Sequence, residues 1–416
     1  MGTQHPPDDA HGRVHAQSHG HSHGHGHGHG HGDWTPTANI ARGLWITVAT
    51  WAVLTLVGLI LLWPAAVDRT GYSVGETAEG YVERVEIGPC TGTIEEDQVD
   101  CRIITIVLTS GPDKGQRTTI EHFASQTNVR VPQAEDELVL TVTPTETGNV
   151  YQFADYQRSK SMLFLAALFA IAVVALGRWR GLGALAGLVI SVIVLLAFVL
   201  PALLDGSNPV LVALVGASII AFASLYLAHG VNSPTNVALL STLAALTITG
   251  LLAWAFVGMC TITGLADENA GFLTAMGISI DPRGLLLAGV VLGSLGVLDD
   301  VTVTQVSAVG ELHRTRPDAG FGELYRSALV IGRDHVSSTV NTLFLAYAGA
   351  ALPLLLLFTT ASQPITTTAT SEIVAVEIVR ALVGSIGLVA SVPISTGLAA
   401  ALLAQRRNSD ALPAHD

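Results

Sequence analysis

GLLLAGVVLGSLGVLDDVTVTQVSAVGEL (residues 284–312) is an apolar run with two carboxylates set into it. Gly284 to Leu298 carries no charge, and then Asp299 and Asp300 stand side by side. Each acidic group costs roughly 2.5–3.5 kcal/mol at the centre of a membrane helix and less near its end. The pair therefore either marks where a helix leaves the bilayer or does ionisable chemistry inside it. The residues that follow favour the second reading. At helical spacing Asp300, Thr304, Ser307 and Glu311 fall on one face, while Val301, Val303, Val306 and Val309 keep the other faces apolar. The helix thus continues past the pair. Asp300 begins the polar face and Asp299 points about 100° around the helix, so Asp300 is the expected relay residue.

Working outward, the composition fits a chain built in lipid. Half of the 416 residues are hydrophobic and only 13% are charged, against about 25% in soluble domains. Apolar runs long enough to cross a bilayer recur along the chain. The expected spans are 44–63, 162–176, 182–204, 210–228, 236–257, 284–298, 338–358 and 378–403. The fold class is accordingly mostly α, a polytopic helical membrane protein of about eight spans. About forty polar residues precede the first span, so 44–63 reads as a retained anchor and not a cleaved signal. A net charge of −13 does not favour nucleic acid, which needs a basic surface.

The acidity is local. From Pro64 to Lys160 there are sixteen acidic against eight basic residues, as in a solvated domain. Within 70–158, alternation predicts strands at 80–87, 102–110, 117–123, 137–143 and 150–156, a small β-barrel or sandwich. Cys90 and Cys101 flank a polar loop and are a candidate disulfide if this domain is exported. Basic residues set the orientation. Arg42, Arg178, Arg180, Arg314, Arg316, Arg326, Arg333, Arg406 and Arg407 fall on one side. Asp205, Asp267, Glu268, Asp281, Glu372 and Glu377 fall on the other, opposed by Arg283 and Arg380. Both termini are expected in the cytoplasm of a cell whose plasma membrane holds the chain, with the β domain outside. Residues 160–404 form the helical membrane domain and 405–416 a cytoplasmic tail.

Ser337, Ser338 and Asn341 enter the next apolar run within one turn of each other. A polar helix face in a membrane packs against another polar group, and the Asp face is the expected partner. A carboxylate in low dielectric tends to hold its proton, and two neighbouring ones separate their affinities. Asp299, Asp300, Thr302, Thr304, Ser307, Glu311, Ser337, Ser338 and Asn341 are therefore the candidate proton or ion relay. No catalytic constellation accompanies them, so no enzymatic role is expected.

GVLDDVTVTQVSAVGEL (296–312), LAHGVNSPTN (227–236) and RGLLLA (283–288) together resemble the YibE/F-like family of multi-pass bacterial membrane proteins, over about 75–405. The resemblance implies membrane location and little chemistry. A more distant similarity is to the SecD/SecF-type membrane domains. Those carry an Asn-Asp-Thr-type motif at the inner end of an out-to-in helix, followed by a cytoplasmic helix and a Ser/Thr-rich one. Leu298 to Thr302, the helix to Leu312 and Arg333 to Thr342 repeat that order, with Asp299 where those proteins have Asn. That similarity implies a proton relay at Asp299 or Asp300 in a transporter-like protein. The alternative is a non-transporting scaffold or assembly factor whose β domain binds envelope partners.

Residues 1–40 are of low complexity, and His19, His21, His23, His25, His27, His29 and His31 alternate mostly with glycine. Such a tail cannot bury enough apolar area to order itself. Its clustered imidazoles suit Zn or Ni. Deleting residues 1–40 is expected to remove most of the chain's Zn and Ni binding in calorimetry; undiminished binding would exclude the tail as the metal site.

Overall fold

The computed structural model describes residues 38–65, 76–89, 100–123, 130–146, 148–266, 268–275, 280–360 and 364–410. The histidines of the tail, and Cys90, lie outside the described residues. Helix α1 (Ala38–Leu61) is followed by strands β1 (Thr77–Pro89), β2 (Asp100–Leu108), β3 (Arg117–Phe123), β4 (Glu137–Thr145) and β5 (Gly148–Tyr156). Helix α2 (Ser159–Val194) then runs through a π-helical turn, Leu195–Val199, into α3 (Leu200–Leu204). After it come α4 (Pro209–His229), α5 (Ser233–Met259), the short α6 (Glu268–Ala275), α7 (Pro282–Thr315) and α8 (Phe321–Ala350). The chain closes with α9 (Leu352–Thr360), α10 (Ile365–Ala369) and α11 (Glu372–Asp410).

Among the described residues, six helices are long and apolar enough to cross a membrane, or seven if α8 and α9, bent by 67°, form one span. The protein is a multi-pass helical membrane protein with a small β sheet. The two runs expected at 162–176 and 182–204 lie within one 46-residue helical stretch. Arg178 breaks it, with φ 50° and ψ −126°. A Cβ on Gly181 would lie 2.4 Å from the carbonyl oxygen of Val173. Residues eight apart in a continuous helix are about 12 Å apart along its axis. The chain therefore turns back on itself at Arg178, and only glycine fits at position 181.

Packing ranks the helices. Over their apolar windows α5 is 61% and α7 56% buried, whereas α1 is 11%. The centre of the bundle is thus α5 and α7, wrapped by α4, α8 and α11. Small residues bring these helices together. Ala213, Ala217 and Ala221 of α4 are fully buried, and Gly387 of α11 sits against the Thr249 hydroxyl of α5. Two asparagines start the helices that follow tight loops. Asn208 accepts from the amides of Val210 and Leu211, and Asn232 accepts from that of Thr235, each ahead of a proline in the first turn. The loops at one end are tied together. Glu372 accepts from the Thr263 and Gly264 amides at 2.8 and 2.7 Å, and Asp205 accepts from Ala65. We call this the sheet end, because α1 leaves it toward β1.

The strands form one antiparallel sheet ordered β3-β2-β1-β4-β5. Alternating Ile104, Ile106 and Leu108 of β2 and Leu138, Leu140 and Val142 of β4 bury one face. A register shift between Val82 and Arg84 bends β1, and the edge strands β3 and β5 come into contact. The sheet is thereby curled toward a barrel. In the β2–β3 turn, Asp113 accepts hydrogen bonds from Asn149 and Tyr151 of β5, both at 2.7 Å. These bonds, Asn149 first, hold its carboxyl below the usual carboxylate range. A group whose pKa is lower folded than unfolded stabilises the fold above its unfolded value, about 3.9, and loses that contribution as pH falls through the folded one. Acidification below about pH 4 and Asp113→Ala are both expected to lower amide protection, measured against the intrinsic exchange rate at the same pH, in β5 and the 111–116 turn, leaving the protection of α5 and α7 unchanged. Equal exchange in the variant would remove Asp113 as the clasp.

Candidate functional site

Helix α7 is a single helix of 34 residues, and the aspartate pair sits in its interior. It starts at Pro282, whose missing amide costs nothing in the first turn, and ends at Thr315 beyond the basic His313 and Arg314. Its two long faces differ in kind. Leu298, Val301, Thr302, Gln305, Val306 and Val309 are buried among α4, α5, α8 and α11. Gly289, Gly293, Gly296, Asp300, Thr304, Ser307 and Glu311 are exposed and follow one another at steps of three and four. That open stripe contains no apolar side chain larger than glycine.

The pair is divided between these environments. Asp300 stands on the open stripe. Asp299, one residue earlier, turns toward α4, where the Ser224 hydroxyl donates to its Oδ2 at 3.2 Å. Its Oδ1 is buried and has no partner among the described residues. Gly187 of α2 packs 3.1 Å from the Ser224 Cα when a Cβ is built on it, so the backbone behind this serine is close-packed. Among the described residues, the ion pairs of α7, α8 and α11 include Glu311–Arg314, Arg316–Glu323 and Glu377–Arg380. None involves either aspartate.

Below the pair, toward the end away from the sheet, a polar seam runs through the packed core. The Thr302 and Thr242 hydroxyls share a hydrogen bond of 2.6 Å between α7 and α5, both fully buried. Gln305 Nε2 donates to the Ala328 carbonyl of α8 and to the Thr396 hydroxyl of α11, each at 2.8 Å. Tyr226 of α4 donates to Asn236 of α5 at 2.8 Å. The polar atoms buried in the bundle without partners among the described residues also include Asn236 Nδ2 and His335 Nε2.

Of the residues named from sequence, the structure puts Asp300, Thr304, Ser307 and Glu311 together on the open stripe, Asp299 half-buried against α4, and Thr302 in the packed interior. Ser337, Ser338 and Asn341 are exposed on α8. The contacts of Gln305 with Ala328, and of Gly293 with the Tyr347 hydroxyl, run α7 and α8 antiparallel. They set Asp300 at the height of residues 336–340. No side-chain hydrogen bond joins the aspartates to Ser337, Ser338 or Asn341 among the described residues. The bonded partner of the pair is Ser224 instead, because α4 and not α8 covers the flank to which Asp299 points. Ser224, Thr242, Gln305 and Thr396 escaped sequence reasoning; their one signal was polarity inside apolar runs. Cys101 is buried at the start of β2. Among the described residues no cluster of His, Cys, Asp or Glu is placed to hold a metal ion.

In the membrane such interhelical hydrogen bonds are worth about 0.6–2 kcal/mol each. Gln305→Leu is expected to destabilise the purified protein by about 1–2 kcal/mol. A double-mutant cycle with Thr396→Val should show coupling of at least about 0.5 kcal/mol in unfolding by denaturing detergent. Strict additivity would contradict the α7–α11 bond.

Comparison with known proteins comes down to the helical part. No curated protein and no solved structure matches the chain. The model of a family described as YibE/F-like protein matches residues 165–405. The match takes in the limb before Arg178, the polar seam and the aspartate pair, and it leaves α1 and the sheet outside, a narrower extent than the sequence resemblance implied. It covers more than half of the sequence, and the chain belongs to the YibE/F-like family.

Proposed function

We propose that this YibE/F-like protein is of transporter type and moves protons through the aspartate pair, with Asp300 as the point of access and Asp299 as the buried loading site. The observation that carries this reading is the division of two adjacent carboxyls between a packed helix interface and an open polar stripe. An ionised carboxylate with an unbonded oxygen at a packed interface is costly. Asp300, one residue away, exchanges protons with whatever water reaches the stripe, and Thr304, Ser307 and Glu311 extend the stripe to the helix end. The resemblance read in the sequence to SecD/SecF-type domains implies the same role for this position. The chemistry asks for no enzymatic group and no resident cofactor.

The reading includes eight crossings, because the two limbs on either side of Arg178 count separately once the chain turns back there. With basic residues inside, both termini lie in the cytoplasm of a plasma-membrane protein. The sheet then lies outside, in a compartment where a Cys90–Cys101 disulfide persists. A second reading, a non-transporting scaffold, draws on one observation. The apolar limb joined to the sheet is largely uncovered, with Phe164 71% and Leu176 92% exposed.

In proteoliposomes with a pH-sensitive dye inside, the wild type is expected to conduct protons. Asp299→Asn, which keeps an oxygen for Ser224, is expected to lower the flux at least tenfold at unchanged insertion, and Asp300→Asn to lower it less. Full flux in the Asp299→Asn/Asp300→Asn double variant sinks the relay. A double variant that fails to accumulate, with no flux in the wild type, supports the scaffold.

A further inference from the structure

A cavity of about 590 Å³ opens at the sheet end between α6, α7, the α8–α9 elbow and α11. Most of its wall is hydrocarbon, including Leu273, Leu286, Leu354 and Val376. Against that wall stand two charges, Glu377 and Arg380, one turn apart on α11. They are half-buried, and a single hydrogen bond of 2.7 Å joins Arg380 Nη1 to Glu377 Oε1. The second carboxylate oxygen and the rest of the guanidinium form no hydrogen bond among the described residues. Gly289, the first residue of the open α7 stripe, lines the same cavity.

A charge pair that only braced a helix would gain nothing from facing an apolar hollow with its bonding capacity half used. Small-molecule sites, by contrast, are hollows of about 300–1,000 Å³ with apolar walls and a few polar groups that fix orientation. Glu377 supplies an acceptor for a cation and Arg380 a fork for a carboxylate. The two lie so close that one ligand must carry both charges a few ångströms apart. We propose that this cavity binds a zwitterion with an aliphatic body, an apolar α-amino acid. Its ammonium lies on Glu377, its carboxylate on Arg380, and its side chain among the leucines. The proposal deepens the transporter reading, since it gives that reading a solute and places it at the head of the stripe leading to Asp300.

The probe is leucine, with 4-methylpentanoate (no ammonium) and 3-methylbutylamine (no carboxylate) as its truncated forms. Binding is measured by calorimetry on the full chain in phosphatidylglycerol nanodiscs. Leucine is expected to bind, and each truncated form to bind at least about tenfold more weakly, as the loss of a charge-assisted hydrogen bond requires. Glu377→Gln and Arg380→Gln should lower leucine affinity by a similar factor, whereas Asp299→Asn/Asp300→Asn should leave it unchanged. That last arm separates the site from the relay, since either can fail while the other stands. Absence of leucine binding overturns the proposal, as does equal binding of the truncated forms. If α11 variants do not fold, the three-ligand comparison on the wild type decides alone. Leucine binding abolished in phosphatidylethanolamine nanodiscs assigns the zwitterion to a lipid headgroup and overturns the amino-acid assignment.

Discussion

Polar groups sealed between membrane helices must find their partners within the protein, because lipid offers none. That constraint is met most densely on the buried side of α7. Thr302 reaches α5, Gln305 reaches α8 and α11 together, and Asp299 reaches α4. One helix is thereby bonded to four neighbours. Close approach by small residues makes the bonds short enough to form, as at Gly387 beside Thr249 and Gly332 beside Gln305. Packing and hydrogen bonding are one design here: a larger side chain at either glycine would separate the helices and leave the polar groups unsatisfied.

The open side of α7 contrasts with this bonded interior. Six polar side chains on α7 and α8, Asp300, Thr304, Ser307, Ser337, Ser338 and Asn341, are exposed. Elsewhere in the bundle, hydroxyls bond back to a carbonyl one turn earlier, as Ser241, Thr249 and Ser395 do. Exposed polar groups on α7 and α8 are what the proposed proton path draws on.

Much of this was legible in the sequence, and the limits follow from physics. Alternation located all five strands, with β3 at its full extent of 117–123, because side-chain period depends on the strand alone. Their order and the approach of β3 to β5 depend on nonlocal pairing and had no local signal. The polar face from Asp300 to Glu311 was readable because it belongs to one helix. The partner of Asp299 was not, because it depends on which helix covers that flank, and Ser224 lies 75 residues away in the chain. In the same way, the two short apolar runs around Arg178 were visible as separate segments. The sharp fold between them rests on a backbone conformation and on Gly181, neither of which hydropathy reports.

The limb from Ser159 to Gly177 is packed only near its turn, and its other end continues directly from β5, where Lys160 pairs with Glu137 of the sheet. At 1.5 Å per residue its 19 residues span about 28 Å, close to the hydrocarbon thickness of a bilayer. A helix held by a pivot at one end and free along its sides answers a change in bilayer thickness by tilting. In the proposed topology its tilt would set the height of the sheet above the bundle, and bilayer thickness would then adjust how far that domain stands from the surface.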